Sequence, residues 1–129
     1  MHIEHVAIWT RDLERLREFY ERWFGGRAGE RYENAANGFA SYFLELGDGA
    51  RLELMAMASI PDSRDDPIAQ ATGLVHLAVS LGSEAAVDDL TARLATDGVP
   101  LLDGPRRTGD GYYESVVLDP DGNRIELTV

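Results

Sequence analysis

Ile3-Glu4-His5-Val6-Ala7-Ile8 opens the chain, and Leu74-Val75-His76-Leu77-Ala78-Val79 repeats its pattern in the middle. Each stretch has a second, later match: Ala50-Arg51-Leu52-Glu53-Leu54 after the first, Asn123-Arg124-Ile125-Glu126-Leu127 after the other. Glu53 lies 48 positions after His5 and Glu126 lies 50 after His76, so the chain reads as a duplication of one unit. Successive side chains of a strand alternate between its two faces. That phase sets Val6 and Ile8 against His5, Ala7 and Trp9, and Leu77 and Val79 against His76, Ala78 and Ser80. It likewise sets Leu52 and Leu54 against Glu53, and Ile125 and Leu127 against Glu126. A strand histidine is more often a packed residue than a ligand, and a strand glutamate is usually solvated. Two His–Glu pairs in matching places of two repeats, both on the face away from the aliphatic one, instead predict a metal or acid–base site.

The elements around these stretches repeat in order. After the first strand, Asp12 can cap a helix in which Leu13, Leu16, Tyr20, Trp23 and Phe24 recur at three- and four-residue steps, ended by Gly25-Gly26. A turn-rich passage through Asn34 and Asn37 leads to an apolar strand over residues 38–46, and Gly47-Asp48-Gly49 turns it into the Glu53 strand. In the second half Ser83 caps a helix carrying Val87, Leu90 and Leu94, stopped by Gly98 and Pro100. Tyr113 to Leu118 is the next strand, and Asp119-Pro120-Asp121-Gly122 turns it into the Glu126 strand. Residues 58–73, with two prolines and the run Asp62-Ser63-Arg64-Asp65-Asp66, read as a linker.

Length and charge narrow the classes. At 129 residues and 44% hydrophobic content, the chain is one ordinary domain or two fused units of roughly 60 residues, each marginal alone. Without cysteine there is no disulfide, thiolate ligand or catalytic thiol. All 12 basic residues are Arg, so lysine Schiff-base chemistry is excluded. A net charge of −11 repels phosphate backbones and anionic lipid, so no nucleic acid or membrane partner is expected. No signal-like segment or bilayer-length apolar run is present, and a cytoplasmic location is the expectation.

The opening Ile3-Glu4-His5-Val6-Ala7-Ile8, Asp12-Leu13 followed by Phe19-Tyr20 and Phe24-Gly25, and the closing Asp119-Pro120-Asp121-Gly122-Asn123-Arg124-Ile125-Glu126-Leu127 resemble the vicinal oxygen chelate superfamily. Glyoxalase I, the bleomycin and fosfomycin resistance proteins and the extradiol dioxygenases are among its members. The resemblance covers nearly the whole chain. It implies an α+β fold of two tandem βαβββ modules, residues 1–57 and 74–129, whose cupped mixed sheet carries the helices on its outer face. It also implies a divalent metal held by His5, Glu53, His76 and Glu126, with nickel, cobalt or zinc favoured because imidazole suits borderline transition metals.

Two carboxylates beside two imidazoles exceed the two-His-one-carboxylate set of iron dioxygenases. A glyoxalase-type lyase or isomerase therefore ranks first, acting on an α-hydroxycarbonyl or a thiol hemithioacetal through an enediolate. Glu126 is the leading base and Glu53 its counterpart. Where glyoxalase I commonly has an arginine after its first metal histidine, this chain has Trp9. Trp9, with Arg106, Arg107 and Tyr113 as a rim over the second-half cup, forms the expected substrate-binding set; the bland reading of the 106–113 stretch is a solvated loop. The resemblance further implies a small-molecule substrate, a low-molecular-weight thiol as co-substrate and a homodimer, while the linker lets the modules pair within one chain or between two. An extradiol dioxygenase or epimerase, and a binder that sequesters a drug or metabolite, are the alternatives.

Overall fold

The computed structural model describes residues 1–129, which divide into two compact units, Met1–Ser63 and Arg64–Val129. In the first, β1 (His5–Trp9) leads through α1 (Leu13–Phe24) to β2 (Arg27–Ala28), β3 (Tyr32–Asn34), β4 (Phe39–Glu45) and β5 (Arg51–Ala56). The sheet order is β1-β5-β4-β2, with β3 also on β4. β1 and β5 run parallel and the remaining pairs antiparallel.

Local chemistry sets the limits of α1. The Asp12 carboxylate accepts from the Arg15 amide at 3.0 Å, satisfying one of the donors a helix start leaves open. At the other end Gly25 takes the left-handed conformation at φ 64°, and the Gly26 amide returns to the Tyr20 carbonyl at 3.2 Å. Leu13, Leu16, Phe19 and Tyr20 are the buried stripe of α1, and they meet Ala40 and Leu44 of β4 and Leu52 and Leu54 of β5 in the core. Leu16, Leu44 and Leu54 have no exposed surface at all, which stabilises the unit by about 1.5–3 kcal/mol for each side chain.

The second unit runs β6 (Leu77–Ser80), α2 (Glu84–Thr96), β7 (Leu101–Arg107), β8 (Tyr113–Leu118) and β9 (Arg124–Thr128). Its sheet order is β6-β9-β8-β7, with β6 and β9 parallel. Ser83 caps α2 by accepting from the Ala86 amide at 3.2 Å. Val87, Leu90 and Leu94 pack with Val117, Ile125 and Leu127. One polar pair is enclosed with them: the hydroxyls of Thr91 and Ser115 lie 2.6 Å apart, and Thr91 also donates to the Val87 carbonyl, so their burial leaves no unmet donor.

The βαβββ order is present in both units, as expected, with two refinements. The passage after α1 is not only turn, because β2 and β3 form a broken edge along β4. The 106–113 stretch is not a loop throughout: Arg106 and Arg107 end β7, and only residues 108–112 turn before β8. A bulged register through Asp103 and Arg106 separates β7 from a regular strand. No helix is long and apolar enough to cross a membrane.

Candidate metal and acid–base site

Strand register decides which side chains share a face. His5 lies opposite Arg51, Ala7 opposite Glu53 and Trp9 opposite Met55; Glu53 in turn lies opposite Phe43, and Met55 opposite Ser41. His5, Trp9, Arg51, Glu53, Phe43 and Ser41 therefore occupy the face that α1 does not cover. In the second unit Ala78 lies opposite Glu126 and Ser80 opposite Thr128, while Val116 faces Glu126 and Glu114 faces Thr128. The matching face carries His76, Glu126, Glu114 and Arg124.

On each face the imidazole and the carboxylate converge. His5 Nε2 is 3.7 Å from Glu53 Oε2, with 39% and 15% of the two side chains exposed. His76 Nε2 is 3.5 Å from Glu126 Oε2, with 39% and 17% exposed. The two pairs thus agree in donor atoms, separation and exposure. Two ligands at 2.0–2.2 Å from one tetrahedral ion stand about 3.4 Å apart, so each pair is spaced as half of a ligand set for a borderline divalent metal. Neither unit gathers three such side chains; each presents two. His5 fits a metal in a further respect, since its Nδ1 is bonded to Glu4 and Nε2 is left for a ligand.

The surroundings of the pairs differ. Phe43 meets the His5 ring edge-on at 5.3 Å and lies under the Arg51 guanidinium at 4.2 Å. Beside Glu126 stands Glu114, a residue that the sequence pattern does not single out. Burial, and then the charge of Glu126, push the Glu114 carboxyl above the ordinary glutamate range; Arg106 pulls the other way. Its place follows from strand pairing: Val116 lies opposite Glu126, and Glu114, two residues along the same strand, points the same way.

Each expected substrate-binding residue has its own surroundings within its unit. Trp9, 39% exposed, shares the face of His5 and meets Phe39 edge-on at 6.0 Å, and Phe39 in turn meets Tyr32 at 6.1 Å. Arg106 is on the face of Glu126, opposite Glu114 in register, but it is already paired. Its Nε donates to Asp103 at 2.7 Å, and Glu114 lies 3.8 Å away. Arg107 and Tyr113 point to the helix-covered side. Arg107 pairs with Glu84 of α2 and lies over the Tyr113 ring at 5.7 Å, and the Tyr113 hydroxyl donates to Asp88 at 2.7 Å. They join α2 to the end of the sheet instead of forming a rim beside Glu126.

Comparison with known proteins accords with this architecture. The family model for the Glyoxalase/Bleomycin resistance protein/Dioxygenase superfamily matches residues 2–127. Human mitochondrial methylmalonyl-CoA epimerase is 33% identical over 95 residues, covering 68% of this chain and 51% of the epimerase; the chain spans about half the length of that relative. Among solved structures, the trypanothione-dependent glyoxalase I of Leishmania major superposes with a TM-score of 0.78 at 25% identity, covering 99% of this chain and 86% of that one. A glyoxalase/bleomycin resistance protein/dioxygenase domain from Frankia sp. EAN1pec gives 0.82 at 20% identity, covering 100% and 97%, a likeness of fold. With two βαβββ units and a family match over almost its full length, the chain belongs to the Glyoxalase/Bleomycin resistance protein/Dioxygenase superfamily.

Proposed function

We propose that this protein is a metal-dependent enzyme of the glyoxalase type, a lyase or isomerase that moves a proton on the carbon beside a substrate carbonyl. The observation that carries the reading is the matched pair of His–Glu contacts, 3.7 Å in one unit and 3.5 Å in the other. His5, Glu53, His76 and Glu126 would hold the ion, with nickel, cobalt or zinc favoured. When bound, the metal supplies Lewis-acid polarisation of substrate oxygens. In this reading one copy contributes His5 and Glu53 and a second contributes His76 and Glu126, so the working form is a homodimer.

The proton chemistry belongs to the carboxylates. Glu126 accepts the proton from the carbon next to the carbonyl and returns it to the neighbouring carbon, with Glu53 as its counterpart in the other unit. Glu114 and Arg106 flank Glu126, with the Arg106 guanidinium 3.8 Å from the Glu114 carboxylate. Trp9 offers an apolar wall beside the first pair. A hemithioacetal of a low-molecular-weight thiol or an α-hydroxycarbonyl is the substrate class.

A second reading has its own support. The epimerase relative, at 33% identity over 95 residues, favours proton removal and return at a single carbon next to an acyl thioester carbonyl. The two readings share a base and differ in where the proton goes back. Protein loaded with cobalt, nickel or zinc and incubated in D2O with hemithioacetals of several thiols, and separately with a chiral 2-substituted acyl thioester, separates them. Formation of a 2-hydroxyacyl thioester from a hemithioacetal supports the lyase. Deuterium uptake with loss of chirality in the acyl thioester supports the epimerase. Neither reaction, with metal bound, would overturn both and favour a protein that grips its ligand without turning it over.

A further inference from the structure

We propose that Glu4 is a positioning residue: its carboxylate holds His5 as the Nδ1-protonated tautomer, so that Nε2 presents its lone pair toward Glu53, and the second unit has no counterpart to this brace.

Three groups close a ring with His5. Glu4 Oε2 is bonded to His5 Nδ1, and Glu4 Oε1 accepts from Arg51 Nε at 2.8 Å and from a second nitrogen of the same guanidinium. Arg51 lies over Phe43 at 4.2 Å, and Phe43 meets the His5 ring edge-on at 5.3 Å. The backbone holds Glu4 in place as well, because the Arg51 amide donates to the Glu4 carbonyl at 2.9 Å. A carboxylate on Nδ1 takes that N–H and leaves Nε2 bare, and the hydrogen bond on one ring nitrogen decides what the other can do.

In the second unit the matching residue is Val75, which can accept nothing. Leu77 faces Ile125 in register, one step on from His76 and Arg124, just as His5 faces Arg51. Arg124 has no carboxylate at position 75 to take the place that Glu4 takes beside Arg51. One of its terminal nitrogens donates to the Pro67 carbonyl at 2.5 Å, while its Nε is buried with no partner. Burying a guanidinium N–H unmet carries a cost, and this orphan marks the place where a carboxylate would sit in a second brace.

The consequence for metal binding rests on the reading of the His–Glu pairs as ligands, but the tautomer itself does not. Two-bond proton–nitrogen NMR correlations of the histidine rings, recorded on metal-free 15N-labelled protein at pH 8, read the tautomer of each ring; His2→Asn and His76→Asn variants assign the signals. His5 should carry its proton on Nδ1. Glu4→Ala should lose that preference, while Glu4→Gln, which keeps a neutral acceptor, should retain part of it. Cobalt affinity read from the visible spectrum should fall roughly 10- to 100-fold in Glu4→Ala, the range for loss of an outer partner of a metal histidine. Val75→Glu should give Arg124 Nε its acceptor and move the His76 proton to Nδ1. A wild-type His5 protonated on Nε2, or a Glu4→Ala variant with an unchanged tautomer, would overturn the proposal. If the tautomers respond as stated but cobalt never perturbs the His5 ring, the brace stands and the metal reading fails.

Discussion

Replacing Gly104 by alanine puts a methyl group where the fold has left no room. Gly104 sits in β7 at φ 81°, in the left-handed region that a side chain disfavours by about 1–2 kcal/mol. A Cβ there would also meet the Glu114 carbonyl oxygen at 2.5 Å and Ser115 Cα at 2.9 Å. Both are backbone atoms of β8, so no rotamer change relieves the contact; β7 must part from β8. Overpacking of that kind adds about 1–3 kcal/mol, for a total loss of about 2–5 kcal/mol, or roughly 10 °C in Tm for a chain of this size. The control is Gly98→Ala, where φ is 85° but nothing lies within 4 Å of the added carbon; it should cost about 1–2 kcal/mol. Urea unfolding of both variants, followed by far-ultraviolet circular dichroism, measures the difference. Equal losses would refute the claim that close approach to β8, beyond backbone conformation, requires glycine at position 104.

Other perturbations have equally definite outcomes. Leu94→Ala removes a side chain with 0% exposure and should cost about 2–5 kcal/mol in the same unfolding assay. The Tyr42 hydroxyl donates to Glu14 at 2.9 Å, a bond that, ahead of Arg17 and Arg31, holds the Glu14 carboxyl below the ordinary range. Because that group's folded value is depressed, its contribution is present above the ordinary glutamate value and disappears as pH falls through the depressed one. Tyr42→Phe should therefore destabilise by about 0.5–1 kcal/mol at pH 7, discounted for exposure, and by progressively less as pH falls below the ordinary glutamate value; a pH-independent loss would contradict it. Glu126→Gln should lower turnover by roughly 10²–10⁴ while metal content falls less, with Glu53→Gln as its counterpart. Near wild-type rates in both, with metal bound, would remove the carboxylates from the proton step.

Some of this architecture was open to reading from residues alone, and the reasons are local. Asp12 and Ser83 cap helices because the chemistry of a helix start is decided within three residues, and both caps are where the sequence puts them. The faces of His5, Glu53, His76 and Glu126 follow from alternation, which survives any tertiary context that keeps a strand regular. β7 was not legible, since its glycine, proline and bulged register hide the period of a strand. That omission also hid where Arg107 and Tyr113 point, because a residue in a presumed loop has no phase. Glu114 and Glu4 are matters of cross-strand neighbours, Glu114 beside Glu126 of β9 and Glu4 beside Arg51 of β5. Neither can be read without knowing which strands pair.

The proposed metal site requires both histidines to serve one ion. Protein expressed without added metal, then loaded with cobalt and freed of excess by gel filtration, should carry a stoichiometric ion per site, as read by elemental analysis. His5→Ala and His76→Ala should each abolish that stoichiometric binding, although the two residues belong to different units. Unchanged metal content in both variants would show that His5 and His76 are not ligands of a shared ion.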